Sequence, residues 1–209
     1  MLLYQGLDAY ELWNADAGVK ISDEQADRVY RSLIMEVTGT RNIILEGFMG
    51  SGKTTVSEIL SERLDLDILD TDSAIVSTEG RSINEIFSSD GEEAFRDMET
   101  ELLQTIVSDH WRDMVISLGG GLPLREENRT LLKEAGKVVY LKASPETVYE
   151  RIKGDDSRPL LHTEDPLARI RQLQEERAGR YEEASDIVVD TDGKDPETIA
   201  SEIIDILGI

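Results

Sequence analysis

Eight consecutive residues, Gly47-Phe48-Met49-Gly50-Ser51-Gly52-Lys53-Thr54, set narrow limits on what this chain can be. They match G-x-x-x-x-G-K-[ST] in the context that gives the pattern meaning, behind the apolar run Ile43-Ile44-Leu45 and ahead of a helical stretch ending at Leu64. Glycines let such a loop curl, so that successive backbone N–H groups turn inward on phosphate oxygens. The helix that follows adds partial positive charge at the same point. Lys53 is then expected to reach the β- and γ-phosphates, and the Thr54 hydroxyl to ligate Mg²⁺. The loop residues expected on the nucleotide are Gly47, Met49, Gly50, Ser51, Gly52, Lys53, Thr54 and Thr55. The motif reads as a nucleotide site, but it does not choose among kinases, GTPases and motors.

The rest of the chain is laid out to hold that loop in a parallel sheet. Short apolar runs at 42–46, 66–70, 114–118, 137–141 and 187–190 alternate with helical patterns near 53–64, 73–79, 82–88, 91–109, 125–135, 145–153, 165–179 and 195–207. Strand, crossover helix and strand, repeated, predict an α/β fold with helices on both faces. The segment 154–166 is polar, Pro-bounded and aperiodic, the character of a lid or binding loop. Residues 1–40 read differently. Leu3, Leu7, Tyr10 and Trp13 recur at helical spacing over 2–13, and Ser22 with Gln25 predicts a capping box for a second helix. Ala26, Val29, Leu33 and Ile34 lie on one face of that helix.

Composition removes whole classes. The net charge of −22 repels nucleic-acid backbones and anionic membranes, so neither is expected as a partner. At 39% hydrophobic residues, the chain can still bury a core. No apolar run is long enough for a membrane helix, and the acidic N-terminus is no signal peptide. The absence of cysteine excludes disulfide scaffolds and thiolate zinc sites and is compatible with a cytoplasmic location. His110 and His162 have no partner at ligand spacing, and no metal role is expected of them.

Three later features narrow the chemistry. Asp70-Thr71-Asp72 closes the second strand at the sheet edge where ligands bind in open parallel sheets. As alternate residues the two carboxylates point the same way if the strand continues and diverge if it ends. One could hold the metal through water while the other accepts a proton from an attacking hydroxyl. Gly119-Gly120-Gly121 follows the third strand and admits a ligand against the main chain. Arg96, Arg158 and Arg177 suit a carboxylate-bearing substrate and a transferring phosphoryl group.

Taken in order, GFMGSGKT, LDTD, GRSINEIF, DGEEAFRDME, SLGGG, SRPLL and ERAGRYEEASDIVVDT resemble the shikimate kinase family over residues 41–209. The resemblance implies a P-loop three-layer α/β/α sandwich with a five-stranded parallel sheet, of the nucleoside-monophosphate-kinase type with a lid over 153–166. It implies transfer of the γ-phosphoryl of ATP to the 3-hydroxyl of shikimate, in the route through chorismate to aromatic amino acids. By the same resemblance Asp72 binds the shikimate hydroxyls as base and Asp70 lies near the magnesium. Arg96 and Arg177 grip the carboxylate, and Gly120, flanked by Gly119 and Gly121, meets the ring hydroxyls. Arg158 would be the lid arginine on the ATP phosphates, with Arg151 and Pro196 beside the adenine. The chain departs from the family where Ala178-Gly179 follows Arg177, which is expected to loosen that helix end. It also departs at Leu122-Pro123, expected to shift the loop, and at Lys194, near the family's arginine over adenine.

Residues 1–13, MLLYQGLDAYELW, are similar to the C-terminal helix of shikimate dehydrogenases, whose glutamine would correspond to Gln5. Residues 1–40 are therefore expected to be a helical extension, the tail of a dehydrogenase–kinase fusion without a dehydrogenase nucleotide site. The kinase domain, 41–209, is expected to act as a monomer. Two rivals remain: another small-molecule P-loop kinase of the gluconate type, and a non-catalytic module that binds ATP or shikimate. The acidic charge and the anionic substrates are reconciled if Lys53, Arg96, Arg151, Arg158 and Arg177 line one cleft.

Overall fold

Ile43, Ile44 and Leu45 are fully buried, so the strand they form is covered on both faces and reads as a continuous apolar run. In the computed structural model this strand, β1 (Ile43–Glu46), is the centre of a five-stranded, wholly parallel sheet. The structure describes residues 20–22, 25, 26, 29, 30, 33, 42–153 and 163–209. After β1 the chain runs through α1 (Lys53–Leu64), β2 (Asp67–Asp70), α2 (Thr71–Glu79), α3 (Ile83–Ser89), α4 (Glu92–Ser108) and β3 (Met114–Ser117). A single 3₁₀ turn (Leu122–Leu124) then leads to α5 (Glu126–Ala135), β4 (Lys137–Lys142), α6 (Pro145–Ile152), α7 (Pro166–Ala184), β5 (Ile187–Asp190) and α8 (Pro196–Leu207).

The strand order is β2-β3-β1-β4-β5, with Leu45 level with Ser117 on one side and Val139 on the other. From the neighbouring strands β1 and β3 the chain leaves in opposite directions, toward β2 and toward β4, and the loops after β1 and β3 open at that reversal, where ligand crevices form. Alternation along β1 divides the core. Ile43 and Leu45 pack with Val56 and Leu60 of α1 and Ile199 and Ile203 of α8. Ile44 faces Leu103 of α4, Leu132 of α5 and Ala184 of α7. A third cluster seats Phe48 of the P-loop on Val148 and Ile152 of α6 and Ile170 of α7. Hydrophobic packing thus fixes the loop's root from three sides.

The helix starts are written locally. Ser144-Pro145, Asp165-Pro166 and Asp195-Pro196 repeat one signal, a side-chain cap followed by proline at the first helical position. Three expectations gain detail. The helix expected over 165–179 stops short: α7 continues through Gly179 to Ala184 because Tyr181 and Ala184 are buried on its inner face. Gly179 therefore does not end or loosen the helix. Leu122-Pro123, the departure after the triple glycine, forms a buried 3₁₀ turn. The Ser22–Gln25 capping box is present, at 2.9 and 3.2 Å, and Ala26 is buried, but Val29 and Leu33 on the same face are exposed. The 2–13 helix, Gln5 and Ile34 lie outside the described residues.

Candidate active site

The P-loop joins the buried end of β1 to the first turn of α1, whose N-cap Gly52 has a left-handed conformation (φ 102°). Lys53 turns back over the loop, its Nζ donating to the carbonyls of Gly47 (2.8 Å) and Phe48 (3.2 Å). Arg151 of α6 braces the loop from outside, donating to Gly50 O (3.2 Å) and Ser51 O (3.0 Å), and to Thr191 beyond β5. Three separate elements thus hold the main chain that surrounds the phosphate position.

The second strand ends at Asp70, so the two acids diverge. Asp70 caps α2, accepting from Ser73 N at 2.9 Å, while Asp72 lies in the first helical turn. Between them the fully buried Thr71 accepts from Gly119 N at 2.8 Å and ties this corner to the triple glycine. Close approach explains two of those glycines. A Cβ on Gly119 would overlap Asp72 Oδ1 and lie 3.0 Å from Glu99 Oε1, and a Cβ on Gly121 would overlap the Arg96 guanidinium. Gly120 is held by its carbonyl, which accepts from Tyr181 Oη at 2.6 Å.

Arg96 on α4 is fixed by two carboxylates on its own helix, Glu99 and Glu92, each at 2.8 Å. Glu99 is fully buried. Burial pushes its carboxyl up to about 7, with Asp72 raising it further and Arg96 opposing. On the facing side, Arg177 of α7 lies 5.7 Å from the Phe48 ring centroid, and its positive charge acts on the buried Tyr181 hydroxyl. Ile83, Phe87 and Phe95 supply an apolar wall, the two phenylalanines meeting edge to face at 5.1 Å.

These groups line one cavity of about 810 Å³. Of the residues expected from sequence, it contains Met49, Gly50, Ser51, Gly52, Lys53, Thr54, Thr55, Asp70, Asp72, Arg96, Gly119, Gly120, Gly121, Arg151, Arg177 and Pro196. Gly47 stands behind the wall and meets Lys53 through its carbonyl. Arg158 and 154–162 lie outside the described residues. Four of the five basic residues expected in one cleft are there, joined by Lys194, which is anchored by Glu202 at 2.5 Å.

Sequence reasoning missed Glu99, Thr71, Tyr181 and the apolar wall. Glu99 and Tyr181 did carry a signal: each stands one helical turn from an arginine already singled out, at i+3 from Arg96 and i+4 from Arg177. Among the described residues no cluster of His, Asp and Glu forms a cage for a metal ion. Mg²⁺ does not need one, because it keeps water and phosphate ligands and takes few from protein. Thr54 and Asp70 on the same cavity wall fit that pattern. No helix among the described residues is long and apolar enough to cross a membrane.

The comparisons with known proteins agree with this geometry. A family model described as shikimate kinase matches residues 49–208. The shikimate kinase of Deinococcus radiodurans is 48% identical over 166 residues, covering 79% of this chain and 82% of that one. That of Thermodesulfovibrio yellowstonii is 43% identical over 164 residues, covering 78% and 93%. The solved shikimate kinase from Acinetobacter baumannii in complex with shikimate is similar at a TM-score of 0.75 and 34% identity, over 83% of this chain and 96% of that one. With the phosphate loop, the paired acids, the triple glycine and the two arginines on one cavity, the chain belongs to the shikimate kinase family.

Proposed function

We propose a division of labour in this cleft for phosphorylation of shikimate by ATP, the reaction of the family on the route to aromatic amino acids. The acceptor is the 3-hydroxyl. Its oxygen attacks Pγ as the bond from Pγ to the β-bridging oxygen breaks, ADP leaves, and the hydroxyl proton passes to the Asp72 carboxylate. Lys53 and the N–H groups of the P-loop hold the β- and γ-phosphates, and Arg158 would add a cation from the lid. When bound, Mg²⁺ would neutralise phosphate charge, held by Thr54 and, directly or through water, Asp70.

Arg96 and Arg177 receive the shikimate carboxylate as a two-sided clamp, with Glu99 a positioning residue that fixes the Arg96 fork. Gly119, Gly120 and Gly121 let the ring and its hydroxyls approach the main chain. Pro196 flanks the adenine. Arg151 donates to the carbonyls of Gly50, Ser51 and Thr191 and to the Thr191 hydroxyl, so its planar face would be the part that stacks on the base. Residues 41–209 are read as the kinase domain and 1–40 as an extension, a division supported by a family match that begins at residue 49. The kinase would act as a monomer, since one chain supplies all the described walls of the cleft.

The observation that carries this reading is the convergence on one cavity of a phosphate loop, a carboxylate at the acceptor position and two arginines across from it. A coupled assay of ADP release with shikimate, gluconate or AMP tests it. Release is expected with shikimate and only background with the others. Release with gluconate in place of shikimate would assign the gluconate-type activity, and ATP binding without release from any acceptor would assign a binding module.

Tyr181→Phe removes the 2.6 Å hydrogen bond to Gly120 O and leaves the ring packed on Tyr140 at 5.3 Å. A net hydrogen bond is worth ~1 kcal/mol. The KM for shikimate is therefore expected to rise about fivefold, with the KM for ATP unchanged. Steady-state kinetics in both substrates check this.

A further inference from the structure

β1 delivers one carboxyl group that none of these roles uses. Glu46 ends the strand with its side chain fully buried. Alternation places it on the same face as Ile44, opposite its register partner Tyr140 on β4. Neither of its oxygens has a hydrogen-bond partner among the described residues. A carboxylate so placed loses its hydration with no donor in exchange. Burial pushes the Glu46 carboxyl up to about 8, against the opposing pull of Lys53.

The titratable groups coupled to it come from three elements: Lys53 of α1 acts on Glu46, and the Glu46 charge acts in turn on Tyr140 of β4 and Tyr181 of α7. Arg177 and Arg96 act on the same Tyr181, and β3, Met114–Ser117, carries no titratable side chain. The Lys53 ammonium meanwhile rests on the carbonyls of Gly47 and Phe48, the two residues that follow Glu46 in the chain.

We propose that Glu46 is a positioning residue for the nucleotide: neutral, it leaves the Lys53 ammonium to the phosphates, and ionised, it competes for that ammonium and repels them. This rests on the assignment of Lys53 to the phosphates. Bound phosphate brings further negative charge near Glu46 and favours its protonated form. A proton from solvent therefore adds to the Glu46 carboxylate as nucleotide binds, with no bond made to the nucleotide. By linkage, affinity holds while Glu46 is protonated in the free protein and falls as pH rises through its titration near 8.

The test is calorimetric titration with ADP and Mg²⁺ from pH 6.5 to 9.5, in buffers of different ionisation enthalpy. Wild type is expected to lose about tenfold in affinity between pH 7 and pH 9, and to take up a fraction of a proton near pH 8. Glu46→Gln, which cannot ionise, should hold its affinity and take up none, and Glu46→Leu provides the same comparison if the amide disturbs the fold. An equal pH slope in wild type and either folded variant overturns the proposal. So does the absence of proton uptake by wild type near pH 8, a measurement that needs no variant. Lys53→Met separates the underlying assignment. Unchanged ADP affinity at pH 7 in that variant would remove the phosphate role of Lys53 and the proposal with it. Weakened affinity there, with the pH slope retained in Glu46→Gln, overturns the proposal alone.

Discussion

Asp72→Asn is expected to lower kcat by about 10²–10⁴-fold, the range for loss of a general base, while ATP affinity changes little. Asparagine keeps the shape and can still bind a hydroxyl, but it cannot take up the proton released as the oxygen attacks phosphorus. The fold should tolerate the change. The cap of α2 is Asp70, not Asp72, and the loss of one charge from the first helical turn costs only about 0.3–1 kcal/mol. The comparison is kcat by coupled ADP release, ATP affinity by calorimetry and Tm for both proteins. A variant with normal kcat would remove the base role from Asp72.

Gly119→Ala and Gly121→Ala should damage activity far more than stability, and in different ways. Neither glycine has a positive φ, so alanine meets no backbone penalty, and the obstruction is the neighbouring side chain. At Gly119 the new methyl overlaps Asp72 Oδ1 and crowds Glu99; at Gly121 it overlaps the Arg96 guanidinium. Side-chain ends move more cheaply than backbone, so the groups that yield are the functional ones. Misplacement of about 1 Å can cost a reacting site on the order of 10²-fold. Gly119→Ala is thus expected to lower kcat by about 10²-fold through Asp72. Gly121→Ala is expected to raise the KM for shikimate by roughly tenfold through Arg96 and to leave the KM for ATP unchanged. Full steady-state kinetics with Tm distinguish these outcomes. A fall in Tm of more than about 10 °C with kcat and KM intact would show that the glycines serve folding instead.

The strands and helices were legible because each has a local cause. The strands at 114–118 and 187–190 are short apolar runs between polar turns, and the observed strands begin at the expected residues and end within one of them. The helix at 165–179 was underestimated because a glycine and a polar stretch suggest an end, whereas burial of Tyr181 and Ala184 carries it onward. Tertiary packing overrides a single glycine, whose helical cost is only about 1 kcal/mol. The exposed Val29 and Leu33 show the converse, since a stripe of apolar residues states a preference for burial but does not name what covers it.

Linear pattern alone settled that this chain makes five parallel strands with a phosphate loop after the first, because periodicity, glycine spacing and helix starts act over a few residues. It also named most of the groups in the cleft, since chemistry of this kind needs recognisable side chains. The folded chain decided how they are used. Asp70 became the cap of α2 and Asp72 part of its first turn once the strand ended between them, and both line the cavity. Glu46 and Glu99, two acids among 44, acquired shifted titrations only when packing closed over them. Burial and distance are properties of three dimensions, and they turn a common residue into a distinctive one.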